Sequence, residues 1–416
     1  MFTSLPVTVH PGRRVALAAS FALASALSAC GGGGGGHDQH SPPPVVSPPP
    51  PPPPVARGPL YDFTPIGLPG MSLGVVVRQG IANGGLVAGT AWVGSEARAF
   101  LFDGKKSIDL GTLGGGSARA FSVNRCGHVT GWAYTDTGIP HAFYYDKGNL
   151  RDLGTLGGAD SYGNAISTCG KVAGWAGTTG GPWHAFYHDG KTMRNLGTFG
   201  GNTSAALALN SVGQVVGYAY YPDNATYHAF LYDARTGAPI LDIGPPDLSS
   251  TAVDINEAGQ VAITSRDASS VLHAYRYGGG TLLDLGLPPG ARHTEATAIN
   301  AAGHVVGSVS YPDGRTFAFL HDGATLHELG TLGGGRFSNA VAVNASGLVV
   351  GSSFDPNLVA ERAIAWAGSY GMVDLNERVK DLPKDVELVA ALAVADDGAI
   401  VVRTNSQGLG LLRPRK

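Results

Sequence analysis

The sequence predicts an all-β fold: an eight-bladed β-propeller of four-stranded antiparallel blades, its ring closed by the N-terminal strand. Three series of residues carry this reading. A glycine ending an Asn-x-x-Gly-like turn recurs at Gly85, Gly127, Gly170, Gly213, Gly259, Gly303, Gly347 and Gly398, at intervals of 42, 43, 43, 46, 44, 44 and 51 residues. A His-Ala-Phe-like run keeps step with it, at Ala142-Phe143, Ala185-Phe186, Ala229-Phe230 and Ala318-Phe319 among others. An Asp-Leu-Gly-like element does the same at Leu110, Leu153, Leu196, Ile243, Leu285, Leu329 and Leu375. Self-similarity at this period, in short apolar runs with no sustained helical spacing, is the signature of propeller blades.

Within each unit four strands follow in order, here called a to d. The a strand alternates Ala with larger residues, as at Ala118 and Ala120, Ala206 and Ala208, Ala340 and Ala342. Inner strands converging on an axis leave room for little more. Asn at the first turn position and Gly at the fourth favour a type I turn, so Asn124-Arg125-Cys126-Gly127 and its relatives join a to b as tight hairpins. The c strand is the His-Ala-Phe run, and d ends in Asp-Leu-Gly. After Leu375 there remain an a, a b and a c strand but no d strand, whereas Leu60 to Ile66 is a d-like strand with no blade of its own. One gap and one spare predict that residues 59–416 form the propeller and that its first strand completes blade eight.

The segments before it differ in composition. Residues 1–30 read as an export segment: Arg13 and Arg14 precede an apolar run, Val15 to Leu27, too short for a membrane span. Leu27-Ser28-Ala29-Cys30 resembles the lipobox of bacterial lipoproteins. The resemblance implies a diacylated Cys30 as the new amino terminus, and Gly31 after it implies sorting to the outer membrane, facing the periplasm or the cell surface. Residues 31–58 are a linker, first a flexible glycine run, then a proline run that favours an extended spacer.

The repeat as a whole, DLGTLGG, a small-residue strand, Asn-x-x-Gly-x-Val-Val-Gly and HAFLYD, resembles the extracellular HAF-repeat family over nearly all of residues 60–375. The copy at Arg362 to Trp366, RAIAW, departs from the pattern. The resemblance implies an exported bacterial protein and carries no catalytic residues with it.

Charge excludes one class of partner: a net charge of -3 with 14% charged residues offers no basic field for nucleic acid. No zinc spacing, EF-hand loop, Gly-x-Ser-x-Gly elbow or phosphate loop is present, so the sequence points to no catalytic residue, metal or cofactor. His141, His184, His228 and His273 open c strands, in the third layer from the axis, and are expected to bond to neighbouring strands; Asp109, Asp152, Asp242 and Asp284 are expected to bond local backbone. Cys126 and Cys169 stand at the same turn position in neighbouring blades. An oxidising compartment permits a disulfide between them, and diverging blades oppose it. The b–c loops of blades one to four are rich in aromatics. Trp92, Trp132, Tyr134, Trp175, Trp183 and Tyr220, with Asp136 and Asp223 beside them, form the candidate ligand surface, suited to a glycan or to an envelope protein. Two alternatives stay open: a propeller-type polysaccharide hydrolase or lyase, and a purely structural envelope protein.

Overall fold

The computed structural model describes residues 58–415 except 247, 248 and 358. The export segment, Cys30 and the linker to residue 57 lie outside the described residues.

The chain forms eight blades, and in blades one to seven the strands of each antiparallel sheet follow one another in sequence. Blade two is typical: Gly114–Val123, Val129–Thr135, Pro140–Asp146 and Asn149–Asp152. Blade eight is built differently. Its inner three strands are Leu388–Val394, Ile400–Thr404 and Leu409–Pro414, and Tyr61–Ile66 pairs antiparallel with the last of these, Tyr61 opposite Pro414 and Ile66 opposite Leu409. A short parallel strand, Val379–Lys380, lies outside it.

The apolar cores sit between blades. Phe100, Phe143, Phe186, Phe230 and Phe319, the third residue of the His-Ala-Phe run, are fully buried, and Ile364 takes that place in blade seven. Burying a side chain of this size contributes about 1.5–3 kcal/mol. Polar groups then stitch blade to blade. In blades two, three and six a serine on the following a strand accepts from the c-strand Ala N–H and donates to the Gly carbonyl of the Asp-Leu-Gly element. Ser161 does so for Ala142 and Gly154, Ser204 for Ala185 and Gly197, and Ser338 for Ala318 and Gly330. The turn asparagines make a second girdle. Asn300 Oδ1 accepts from Ala302 N and His304 N, which holds its own turn, while Nδ2 donates to Asn344 O one blade on, at 3.0 Å. Asn210, Asn256 and Asn344 repeat the contact.

Every a strand from blade two to blade eight carries a one-residue bulge at the same level. A bulge bends its strand and turns the carbonyl before it toward its neighbour. In five blades that neighbour is a glycine of the b strand, Gly131, Gly174, Gly217, Gly307 or Gly351, where a Cβ would collide with the carbonyl of Arg119, Tyr162, Ala205, Glu295 or Asn339. This requirement is why the b strand reads Val-Val-Gly or a close variant.

Blade one breaks the rule. Its inner strand stops at Val75, opposite Thr90, and resumes at Ile81, opposite Val87, so five residues face two. The loop reaches across the ring. Arg78 donates to the bulge carbonyls of Val253 and Thr297 in blades five and six and lies 3.4 Å from Asp254 Oδ1. Gln79 donates to Leu207 O in blade four at 3.4 Å, and its carbonyl accepts from Val123 N in blade two.

Candidate functional site

The histidines and aspartates of the repeat prove to be partners. His141 Nδ1 donates to Asp152 Oδ2 at 2.8 Å, His228 to Asp242 at 2.9 Å and His184 to Asn195 Oδ1 at 3.0 Å, with His273 3.7 Å from Asp284. The other carboxylate oxygen accepts from the glycine two residues on, as in Gly154 N to Asp152 and Gly244 N to Asp242. In blade seven Arg362 replaces the histidine and lies 4.0 Å from Asp374. Burial alone would push the Asp242 carboxyl up, but bonds from His228, Tyr221 and Gly244 outweigh it and leave it below the ordinary range. These groups tie d to c within a blade and converge on no common point. Among the described residues no group of three or more His, Cys, Asp or Glu is placed to hold a metal ion.

Cys126 and Cys169, for which the sequence leaves a disulfide open, are free and exposed in the structure. The two turns touch through Asn124 Nδ2 and Ser167 O, at their first positions, and the thiols stand at the third, facing solvent.

The aromatic residues are also displaced from their expected place. Trp92, Trp132, Tyr134, Trp175 and Tyr220 lie within b strands, and Trp183 and Tyr227 open c strands, so they are not loop residues. They divide into two groups. The first is a continuous seam across blades one to three. The Arg119 guanidinium lies over Trp92 at 4.9 Å and over Trp132 at 5.5 Å; Trp132 meets Tyr134 and Tyr162 edge-on, Tyr162 stacks on Trp175 at 3.9 Å, and Trp175 meets Trp183 at 5.6 Å. Trp183 Nε1 donates to Asp160 Oδ1 at 2.9 Å. The second group is the triad Tyr218, Tyr220 and Tyr227 of blade four. Tyr221 instead donates to Asp242, and Asp223 accepts from Ala225 N, Thr226 N and the Thr226 hydroxyl, which commits it to its own turn. Asp136 is exposed in the b–c turn of blade two.

The seam is organised by register. The residue before each bulge pairs with a b-strand residue at one level of the ring: Arg119 with Trp132, Tyr162 with Trp175, Ala205 with Tyr218, Thr251 with Thr264, Glu295 with Ser308, Asn339 with Ser352. Blades two to four therefore present aromatic rings and a cation there, and blades five to seven present small polar groups and one carboxylate. Glu295 is exposed to solvent, yet the protein around it pushes its carboxyl above the ordinary range, with Arg266 acting in the opposite direction. Burial likewise pulls the Arg119 guanidinium below its ordinary value and pushes the Tyr162 hydroxyl up to about 12. Sequence reading passes over Arg119 and Tyr162 because each stands in a small-residue strand. The usable signal is that they are large where the same position in blade four is Ala205.

No family model matches the chain, and no curated protein matches it. Several solved structures are similar to the chain. The β-propeller domain of the Trilobed protease from Pyrococcus furiosus is 11% identical, with 73% of this chain and 98% of that chain covered at a TM-score of 0.49. A Mycobacterium tuberculosis puromycin-hydrolyzing peptidase is 13% identical, with 84% and 62% covered at 0.47, and TolB from Acinetobacter baumannii is 13% identical, with 70% and 64% covered at 0.37. The chain thus spans less than two thirds of these last two proteins.

Proposed function

We propose that the chain is an exported binding module of the HAF-repeat type, tethered to the bacterial envelope by lipid on Cys30, whose contact surface is the aromatic seam of blades one to three. The observation that carries this reading is the seam itself. Half-buried indoles and phenols run in unbroken contact across three blades, whereas blades five to seven carry Thr251, Thr264, Glu295, Ser308, Asn339 and Ser352 at the level of Trp132 and Trp175. Flat rings with polar tips give large contact area at little entropic cost, which suits a saccharide ring or a protein surface. The lipobox resemblance and the linker of residues 31–58 support presentation of the ring away from a bilayer. Binding of the full-length chain to an array of envelope polysaccharides and to intact envelope tests the surface. Trp132→Ala with Tyr134→Ala should reduce the signal at least tenfold with the fold intact, and an unchanged signal would sink the assignment. Tethering is tested separately: Cys30→Ala should abolish palmitate labelling and release the protein from the membrane fraction.

A further inference from the structure

Arg119 differs from the other half-buried arginines of the ring. Arg78 meets Asp254 and two carbonyls, Arg362 meets Asp374 and Glu387, Arg276 donates to Gly303 O, and Arg378 donates to Gly58 O and Pro59 O. Among the described residues Arg119 meets no carboxylate and no hydrogen-bond acceptor. Its neighbours are the faces of Trp92 and Trp132, and its Nε is buried without a partner. Indole faces attract the cation but leave its N–H edge unsatisfied, and a guanidinium edge is the fork that donates two parallel bonds to a carboxylate. A partly desolvated cation without a counter-ion is costly to maintain, and a ligand anion would relieve that cost.

The surroundings narrow the anion. The Tyr134 hydroxyl is close enough to act on the charge of Arg119 and on the Tyr162 hydroxyl. Carboxylates stand beside the seam: Asp160 acts on Tyr162 and accepts from Trp183 Nε1, and Asp136 follows Tyr134 by two residues. One cation set among hydroxyls and carboxylates matches a ligand with one negative charge and several hydroxyl donors. It repels a run of acidic residues, and a phosphate dianion would find too little positive charge. Resting on the binding reading above, we propose that the seam recognises a uronic-acid residue of an acidic glycan, its carboxylate bound edge-on by Arg119 and its hydroxyls by the flanking Tyr and Asp side chains.

The test titrates the full-length chain by calorimetry and tryptophan fluorescence with trigalacturonic acid, with its neutral methyl ester and with a tri-glutamate peptide. The acid should bind at least tenfold more tightly than the ester and perturb indole emission. Arg119→Gln should weaken the acid about 10- to 100-fold and leave the ester unaffected. Arg119→Lys, which keeps the stem and charge without the fork, should recover only part of the preference, and it decides the matter if the glutamine variant does not fold. Equal binding of acid and ester, lost on Trp132→Ala but not on Arg119→Gln, would overturn this inference and leave the binding module standing. Binding of neither sugar, or preference for the peptide, overturns it as well.

Discussion

The loop of blade one that crosses the ring makes a prediction about stability. Arg78 gives one Nη to Thr297 O and the other to Val253 O, and Asp254 beside it accepts from Ile255 N at 3.0 Å and from Ile299 N at 3.1 Å. Four blades are thereby linked through one side chain and its neighbour, Gln79. The side chains of Arg78 and Asp254 are 23% and 17% exposed, so the pair is screened only in part. Each hydrogen bond to a charged group is worth about 1.5–3 kcal/mol. Asp254 keeps its two backbone donors in an Arg78→Ala variant, and water can reach the vacated carbonyls, so the net loss is about 2–4 kcal/mol. Unfolding entropy of about 2.1 cal/mol/K per residue gives about 0.7 kcal/mol/K for the ring, so Tm should fall by about 3–5 °C. Differential scanning calorimetry of the full-length chain measures this. Arg78→Lys should fall between, because one ammonium cannot span both carbonyls in the plane that a guanidinium offers. An alanine variant that melts within about 1 °C of the parent would refute the idea that the loop braces the inner strands.

Three further outcomes follow from the same geometry. Deletion of residues 59–66 removes Tyr61 and Ile66, 1% and 4% exposed, and bares the edge Leu409–Pro414; the lost burial alone is about 3–6 kcal/mol. Calorimetry should show a larger drop than for Arg78→Ala, and an unchanged melt would mean that the pairing does not close the ring. The Nδ1 atoms of His188 and His321 accept from Gly190 N and Gly323 N and so need the neutral ring; burial first, then Arg151 and Arg276 respectively, hold both pKa values below the ordinary value. A histidine with a lowered folded pKa contributes stability that is complete above about pH 6.5 and is lost as pH falls through it, because the unfolded chain takes the proton first. Tm should therefore decline between about pH 7.5 and pH 5.5, and His321→Asn, which keeps a neutral acceptor, should flatten that decline; an equal slope in parent and variant would refute the assignment. Cys126 and Cys169 should both react with a maleimide in the native protein without reductant, whereas labelling that needs reductant would place a bond between them.

What the sequence made legible was whatever local chemistry dictates. The Asn-x-x-Gly turns, the alanine-rich inner strands and the missing outer strand of blade eight follow from turn preferences and from the space near an axis. The aromatic placement was legible only in part. Trp132 and Tyr134 follow the Val-Thr-Gly of their b strand and so read as loop, but pairing with Ala142 and Pro140 respectively carries the strand through Thr135. The bulges left no direct signal, because they are set by backbone register, although the glycines that accommodate them are visible in hindsight of the collision with the inner carbonyl. Val76 to Gly80 reads as an ordinary connection. Its role depends on carbonyls in Val253 and Thr297, 175 and 219 residues away.

Once each repeated residue has a structural task, the location of function narrows. His and Asp tie c to d, the serine and the turn asparagine tie one blade to the next, the phenylalanine fills the space between blades, and the glycine clears the bulge. Those positions recur because several blades make the same bond, and copies of one bond cannot distinguish one ligand from another. Recognition must use positions where the blades share a backbone and differ in side chain. The residue before the bulge is such a position, reading Arg119, Tyr162, Ala205, Thr251, Glu295 and Asn339 around the ring. A ligand spanning it would meet a cation on one side and a carboxylate, Glu295, on the other. Glu295→Gln should then leave Tm unchanged or raise it slightly, since the parent folds against a raised carboxyl pKa above that pKa, and it should alter only the orientation or preference of what is bound. A large loss of stability on that substitution would make Glu295 part of the scaffold and would remove the argument that this level of the ring is reserved for binding.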